Sequence, residues 1–96
     1  MSSSKQFKDF ILEQLRELDN ITCKSMMGEF LLYYNGILFG GIYDDRFLIK
    51  KTNSNKEYSL AEEIPYKNAK PMYMVKNLDD VDYLSNLIKT TCEDLK

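Results

Sequence analysis

The sequence predicts a small α+β domain of two layers, with an antiparallel β-meander sheet and N- and C-terminal helices packed on one face. Three observations carry that reading. Residues 29–50, EFLLYYNGILFGGIYDDRFLIK, hold three short runs of β-forming residues separated by Asn35-Gly36 and Asp44-Asp45. Asn-Gly between such runs is the strongest short hairpin signal, because a type I′ turn holds both central residues at positive φ. Apolar residues at helical spacing stand at both ends of the chain, from Phe7 to Leu18 and from Val81 to Leu95. A length of 96 residues fits one domain, 1–96, with one hydrophobic core.

In order, Ser3 or Ser4 caps the first helix, with Gln6 three residues after Ser3 as in a capping box. Phe7, Phe10, Ile11, Gln14, Leu15 and Leu18 then share one face of a helix over 5–18, which Asp19-Asn20 ends. Residues 21–26, ITCKSM, form a short extended segment with Ile21 and Cys23 facing inward, and Gly28 breaks it before the meander.

Two-residue loops fix a register for the meander. Tyr34 opposes Ile37 and Leu32 opposes Phe39; Tyr33 opposes Leu38 and Leu31 opposes Gly40. After the second loop, Ile42 opposes Phe47, Gly40 opposes Ile49, Tyr43 opposes Arg46 and Gly41 opposes Leu48. One face then carries Leu31, Tyr33, Leu38, Ile42, Phe47 and Ile49, and reads as the core face beneath the helices. The other carries Phe30, Leu32, Tyr34, Ile37, Phe39, Tyr43 and Leu48, too apolar for a solvated sheet face. It is read as an interface with another chain, the alternative being a covering loop of the same chain. A one-residue change of register would exchange the faces.

Beyond the meander, Asn53 or Ser54 caps a short helix through residues 60–63, ended by Pro65. Residues 66–70 are an exposed loop, and 72–75, MYMV, an antiparallel edge strand after Pro71. Asp79 or Asp80 caps the last helix, 80–95, whose buried stripe is Val81, Leu84, Leu87, Ile88, Thr91, Cys92 and Leu95.

Composition narrows the chemistry. No histidine is present, which removes Ser-His-Asp and Cys-His catalysis and most zinc or iron sites. Cys23 and Cys92 follow no metal or redox spacing and read as reduced, buried thiols. Thirteen basic and fifteen acidic residues give a net charge of −2, divided six to seven in residues 1–50 and seven to eight in 51–96. That even spread argues against direct nucleic-acid binding, which needs a concentrated positive surface. There is no run of eighteen apolar residues and no signal-peptide pattern, so the expected location is cytoplasmic, away from membranes.

Few constellations have chemical potential. Asp44-Asp45 reads as a turn, and Asp79, Asp80 and Asp82 as helix capping without the glycine and glutamate of a calcium loop. Gly40-Gly41 lies mid-strand with no helix after it, so it marks close packing or a bulge, not a phosphate loop. The twelve Tyr and Phe residues alternate at strand spacing, as core or interface residues do. No cofactor or metal is called for.

The order of these motifs resembles the N-terminal domain of the TfoX/Sxy family of bacterial competence regulators. Met26-Met27-Gly28-Glu29 stands at the family's MFGG position and Asn35-Gly36 at its hairpin. Gly40-Gly41-Ile42 stands at the small-residue strand, and Asp45, Leu48 and Lys50 at the acidic turn and closing lysine. The resemblance covers nearly the whole chain, as a stand-alone domain. It implies a secretion-chaperone-like fold that forms homodimers, and a part in competence-linked transcription through a protein partner such as a transcription factor.

The leading expectation is a non-enzymatic protein-interaction domain whose interface is Phe30, Leu32, Tyr34, Ile37, Phe39 and Tyr43. One alternative is a nucleic-acid-binding accessory, which requires Lys24, Arg46, Lys50 and Lys51 to converge. The other is a small-ligand or enzymatic role for Tyr33, Tyr34, Asp44 and Asp45, with no nucleophile–base pair to support it.

Overall fold

A computed structural model describes residues 4–96. Helix α1 is Lys5–Gln14. Ser4 caps it, its Oγ accepting from the Phe7 amide at 3.1 Å, while Ser3 lies outside the described residues. The helix is one turn shorter than its apolar pattern predicts, because Leu15 leaves the helical conformation with ψ near 15°. The turns that follow still deliver Leu18 to the core at 5% exposure, so the pattern reports burial beyond the helix end.

Four strands follow through tight turns: β1 Ile21–Met26, β2 Glu29–Tyr34, β3 Ile37–Tyr43 and β4 Arg46–Ile49. Asn35 and Gly36 have φ of 51° and 79°, and Asp44 and Asp45 have 54° and 56°, so both expected hairpins form with positive φ at both centres. A third hairpin is new. Met27 and Gly28, at φ 51° and 85°, join β1 to β2, so the segment read as isolated before the meander is its first strand.

The rest of the sheet departs from expectation at two places. Residues 55–58 form a short 3₁₀ turn, and the left-handed Ser59 (φ 54°) stops it before a longer helix can grow. The expected helix through 60–63 is instead strand β5, Ala61–Glu63, paired with β6, Met72–Met74. Consequently β6 lies inside the sheet, not at its edge. The antiparallel order is β1-β2-β3-β4-β6-β5. Helix α2, Val81–Leu95, starts at Asp80, whose carboxylate accepts from the Tyr83 amide at 3.1 Å.

Both helices cover one face. Ile11, Leu15 and Leu18 meet Leu84, Leu87, Ile88 and Cys92 over Leu32, Phe39, Ile42, Phe47, Ile49 and Tyr73 in a single buried cluster. Each such aliphatic side chain contributes about 1.5–3 kcal/mol by leaving water.

That cluster corrects the predicted faces of the sheet. β2 and β3 pair as expected at Tyr34–Ile37 and Tyr33–Leu38, but Leu32 then opposes Gly40, not Phe39. Phe39 is an extra residue, a β-bulge, and the phase of β3 changes there. Ile37, the bulged Phe39 and, beyond it, Ile42 therefore all point to the helices. Leu32 and Phe39 are fully buried, and Phe30, Tyr34 and Ile37 pack against the core half-buried. These five residues were expected at an interface; they belong to the core layer. The pairing of β3 with β4 follows the predicted register throughout.

Gly40 and Gly41 make the tight packing possible, as their mid-strand position implies. A Cβ on Gly40 would collide with the Leu48 carbonyl oxygen and stand 2.8 Å from Ile49 Cα, and one on Gly41 would collide with the Phe30 carbonyl oxygen. At the other end of the domain, the buried Asn55 pins the 3₁₀ turn. Its Nδ2 donates to the Lys50 carbonyl and to Thr91 Oγ1, each at 2.9 Å, and its Oδ1 accepts from the Thr52 amide at 2.9 Å. Among the described residues no helix is long and apolar enough to cross a membrane.

Candidate functional site

The sheet face away from the helices is the surface where apolar groups stay open. With the bulge in place, β1 presents Thr22, Lys24 and Met26 there, β2 presents Leu31 and Tyr33, and β3 presents Leu38, Gly41 and Tyr43. Leu31, Tyr33 and Leu38 are half-buried and Met26 is exposed. Leu48 and Tyr43 on this face are buried, Tyr43 beneath Tyr66 of the loop between β5 and β6.

That loop, residues 64–71 between β5 and β6, folds back along the sheet. Arg46 holds its start. The guanidinium pairs with Glu63 Oε1 at 3.0 Å and donates to the Ile64 and Pro65 carbonyls at 3.2 and 3.3 Å. Pro65 is buried, and Tyr66 lies against Tyr43 with ring centroids 6.1 Å apart. Between loop and sheet runs a groove of about 750 Å³, with Met26, Leu31 and Leu38 on one side and Tyr66, Ala69 and Met72 on the other. A second hollow of about 620 Å³ continues from it, sharing Met26, Tyr43, Pro65 and Tyr66 and reaching Met27.

The exposed apolar groups gather at this end. Met27 is 95% exposed, Tyr66 61%, Ile64 53% and Met26 45%, and all four sit on or beside the two hollows. Among the described residues Phe10, 42% exposed on α1, is the large exposed apolar side chain that stands elsewhere. Met27 also occupies a left-handed turn position, where Asn, Asp or Gly is favoured over a long side chain.

Burial, then the neighbouring Tyr66 and Glu29, push the Tyr43 hydroxyl up from its ordinary value, so it stays protonated near neutrality. Asp44 and Asp45 form the β3–β4 turn: the Asp44 amide donates to the Glu29 carboxylate at 3.1 Å, and Asp45 Oδ1 accepts from the Ser4 amide at 2.7 Å. Among the described residues no three His, Cys, Asp or Glu side chains come together as a metal site. Cys92 is buried and its thiol is pushed up to about 11 by burial, and Cys23 is half-buried and raised for the same reason.

The structure keeps Lys24 and Arg46 apart from the adjacent Lys50 and Lys51, so the four basic residues proposed to converge do not. Lys24 lies on β1, with β2 and β3 between it and β4. Arg46 and Lys50 are at opposite ends of β4, and Arg46 is committed to the loop. Lys51 pairs with Glu62 at 2.9 Å and lies over the Tyr73 ring. Of the six expected interface residues, Tyr43 alone faces the groove, and it forms part of the floor that Tyr66 covers. The residues missed are Met26, Leu31, Leu38, Tyr66 and Met72. Leu31 and Leu38 were visible in the sequence as apolar strand residues but assigned to the face beneath the helices, while Met26 was placed in a short extended segment, Tyr66 in an exposed loop and Met72 in an edge strand.

An open six-stranded antiparallel sheet with an N-terminal and a C-terminal helix places the molecule among α+β domains. Within that class the chain belongs to the TfoX N-terminal domain family, which matches residues 13–93, from inside α1 to near the end of α2. Curated proteins show no significant match to the chain.

Proposed function

We propose that this chain is a non-enzymatic, cytoplasmic protein-interaction domain that regulates competence-linked transcription through a protein partner. The observation that carries the reading is the open apolar groove between the sheet's outer face and residues 64–71, ringed by exposed Met26, Met27 and Tyr66. Surfaces of this kind, rimmed by polar groups and rich in methionine, suit docking of another protein. Membership of the TfoX N-terminal family supports the competence-related role. The separation of Lys24 and Arg46 from Lys50 and Lys51 favours a protein partner over nucleic acid.

In the same reading the chain self-associates through β1. Strand β1 is a sheet edge of six residues without proline, exposed at Lys24–Met26, and a twofold pairing of two such edges would continue the sheet.

The test is transcription from competence promoters in the source host, with Leu38→Lys compared against the parent chain. Loss of activation with a normally folded domain is expected. Unchanged activation would refute the groove as the working surface. Sedimentation at micromolar concentration tests self-association separately, and a strict monomer would remove it.

A further inference from the structure

The charge of the groove says what kind of segment it takes, and the inference rests on the reading of the groove as a protein-docking surface. The lining of its main part includes Lys50, Lys51 and Lys70 and no acidic residue, on a chain whose net charge is −2, while the hollow that continues from it toward Met27 carries Glu29 and Asp44 beside Arg46 and Lys67. Lys51 is occupied by Glu62. Among the described residues Lys50 and Lys70 have no ion pair. Two lysines without counter-ions therefore flank an apolar trough formed by Leu31, Leu38 and Met72.

We propose that the groove binds an acidic amphipathic segment of a partner protein, whose large apolar side chains fill the trough while its Asp or Glu residues meet Lys50 and Lys70. A second copy seated face to face is disfavoured, because a twofold interface sets a patch against itself and brings like charges together. A basic partner is disfavoured by the same lysines. Met26, Met27 and Met72 suit the apolar part, since unbranched thioether side chains adapt to differing partner shapes. The exposed Met27 in a turn that favours small polar residues contributes nothing to the core and has its use at such a contact.

The experiment is selection of the full chain against a displayed library of random sixteen-residue peptides, followed by affinity measurement on the winners. The expected winners combine Leu, Phe, Ile or Met with several Asp or Glu. Their binding falls about tenfold or more in the Lys50→Glu, Lys70→Glu double variant, as two exposed ion pairs become repulsions, and weakens with added salt. Lys70 is exposed and Lys50 half-buried, so the fold of the double variant is checked by circular dichroism against the parent. Winners that need Leu38 but carry no acidic bias, or bind the double variant as well as the parent, overturn the charge inference and leave the docking surface standing. No peptide that depends on Leu38 overturns the docking reading itself. A dimer that dissociates on Leu38→Lys puts a second copy in the groove and overturns the proposal.

Discussion

Leu31 and Leu32 are adjacent and chemically identical, strand alternation puts them on opposite sides of the sheet, and the bulge at Phe39 matches Leu32, not Leu31, to the face that carries Ile42. Truncating each to alanine separates the two faces energetically. Leu32 is fully enclosed between the sheet and the helices, so Leu32→Ala removes buried methyl groups and leaves a cavity. That combination costs about 3 kcal/mol, within a usual range of roughly 2–5. Leu31 is half-buried and opens onto the groove, where water fills the space it vacates. Its truncation costs about 1 kcal/mol. For a domain of this size 1 kcal/mol moves Tm by about 4–8 °C, so Leu32→Ala lowers it by roughly 12–24 °C and Leu31→Ala by roughly 4–8 °C. Urea unfolding followed by far-ultraviolet circular dichroism gives the free energies directly, provided the slope m is unchanged. Phe39→Ala against Leu38→Ala repeats the comparison on the bulged strand. Equal losses within either pair, or a larger loss at Leu31, would refute the face assignment and the bulge with it.

Other outcomes follow from the same geometry. Thr91→Val removes the acceptor for Asn55 Nδ2 and leaves a buried N–H unpaired, for a loss of about 1–3 kcal/mol by urea unfolding; a neutral result would show the bond is not made. Asp94 accepts from the Ser54 amide and hydroxyl, which lower its pKa from 3.8, so its contribution to stability is fully present above that value and fades as pH falls through the lower folded value. The stability gap between parent and Asp94→Ala should accordingly close on acidification, and a gap that widens would contradict the assignment. At pH 8 a thiol reagent should label Cys92 in the native protein more slowly than Cys23, because Cys92 is buried and its thiol raised to about 11; equal native rates would mean the core is open there.

Most of the fold was legible in the sequence, and the reason is local. Asn35-Gly36 and the helical stripes on α1 and α2 are short-range signals that tertiary contacts reinforce, and the β3–β4 register followed from the length of a two-residue loop. What was not legible depended on long-range packing. ILFGGIY alternates without visible interruption, yet Phe39 adds one residue against Leu32, and that slip sends the predicted interface residues Phe30, Leu32, Tyr34, Ile37 and Phe39 to the core. The double glycine gave a hint, since strands that lose side chains often bulge there, but not the position of the bulge. The β5 strand was hidden for a similar reason. Ala61–Glu63 has weak strand propensity and is held extended by pairing with β6. The Met27-Gly28 hairpin was masked because methionine is an unusual occupant of a positive-φ turn. The groove itself needs the 64–71 loop, whose path is set by Arg46 reaching back from β4 to two of its carbonyls.

Affinity purification from the source host tests the central claim most directly, with the parent chain, Leu38→Lys and Phe10→Lys compared by quantitative mass spectrometry. Leu38 lines the groove, while Phe10 is an exposed apolar residue on the helical side. The working surface described above predicts that Leu38→Lys loses a specific partner that both the parent and Phe10→Lys retain, with all three chains folded. Retention by Leu38→Lys with loss by Phe10→Lys would place the working surface on the helices and contradict it.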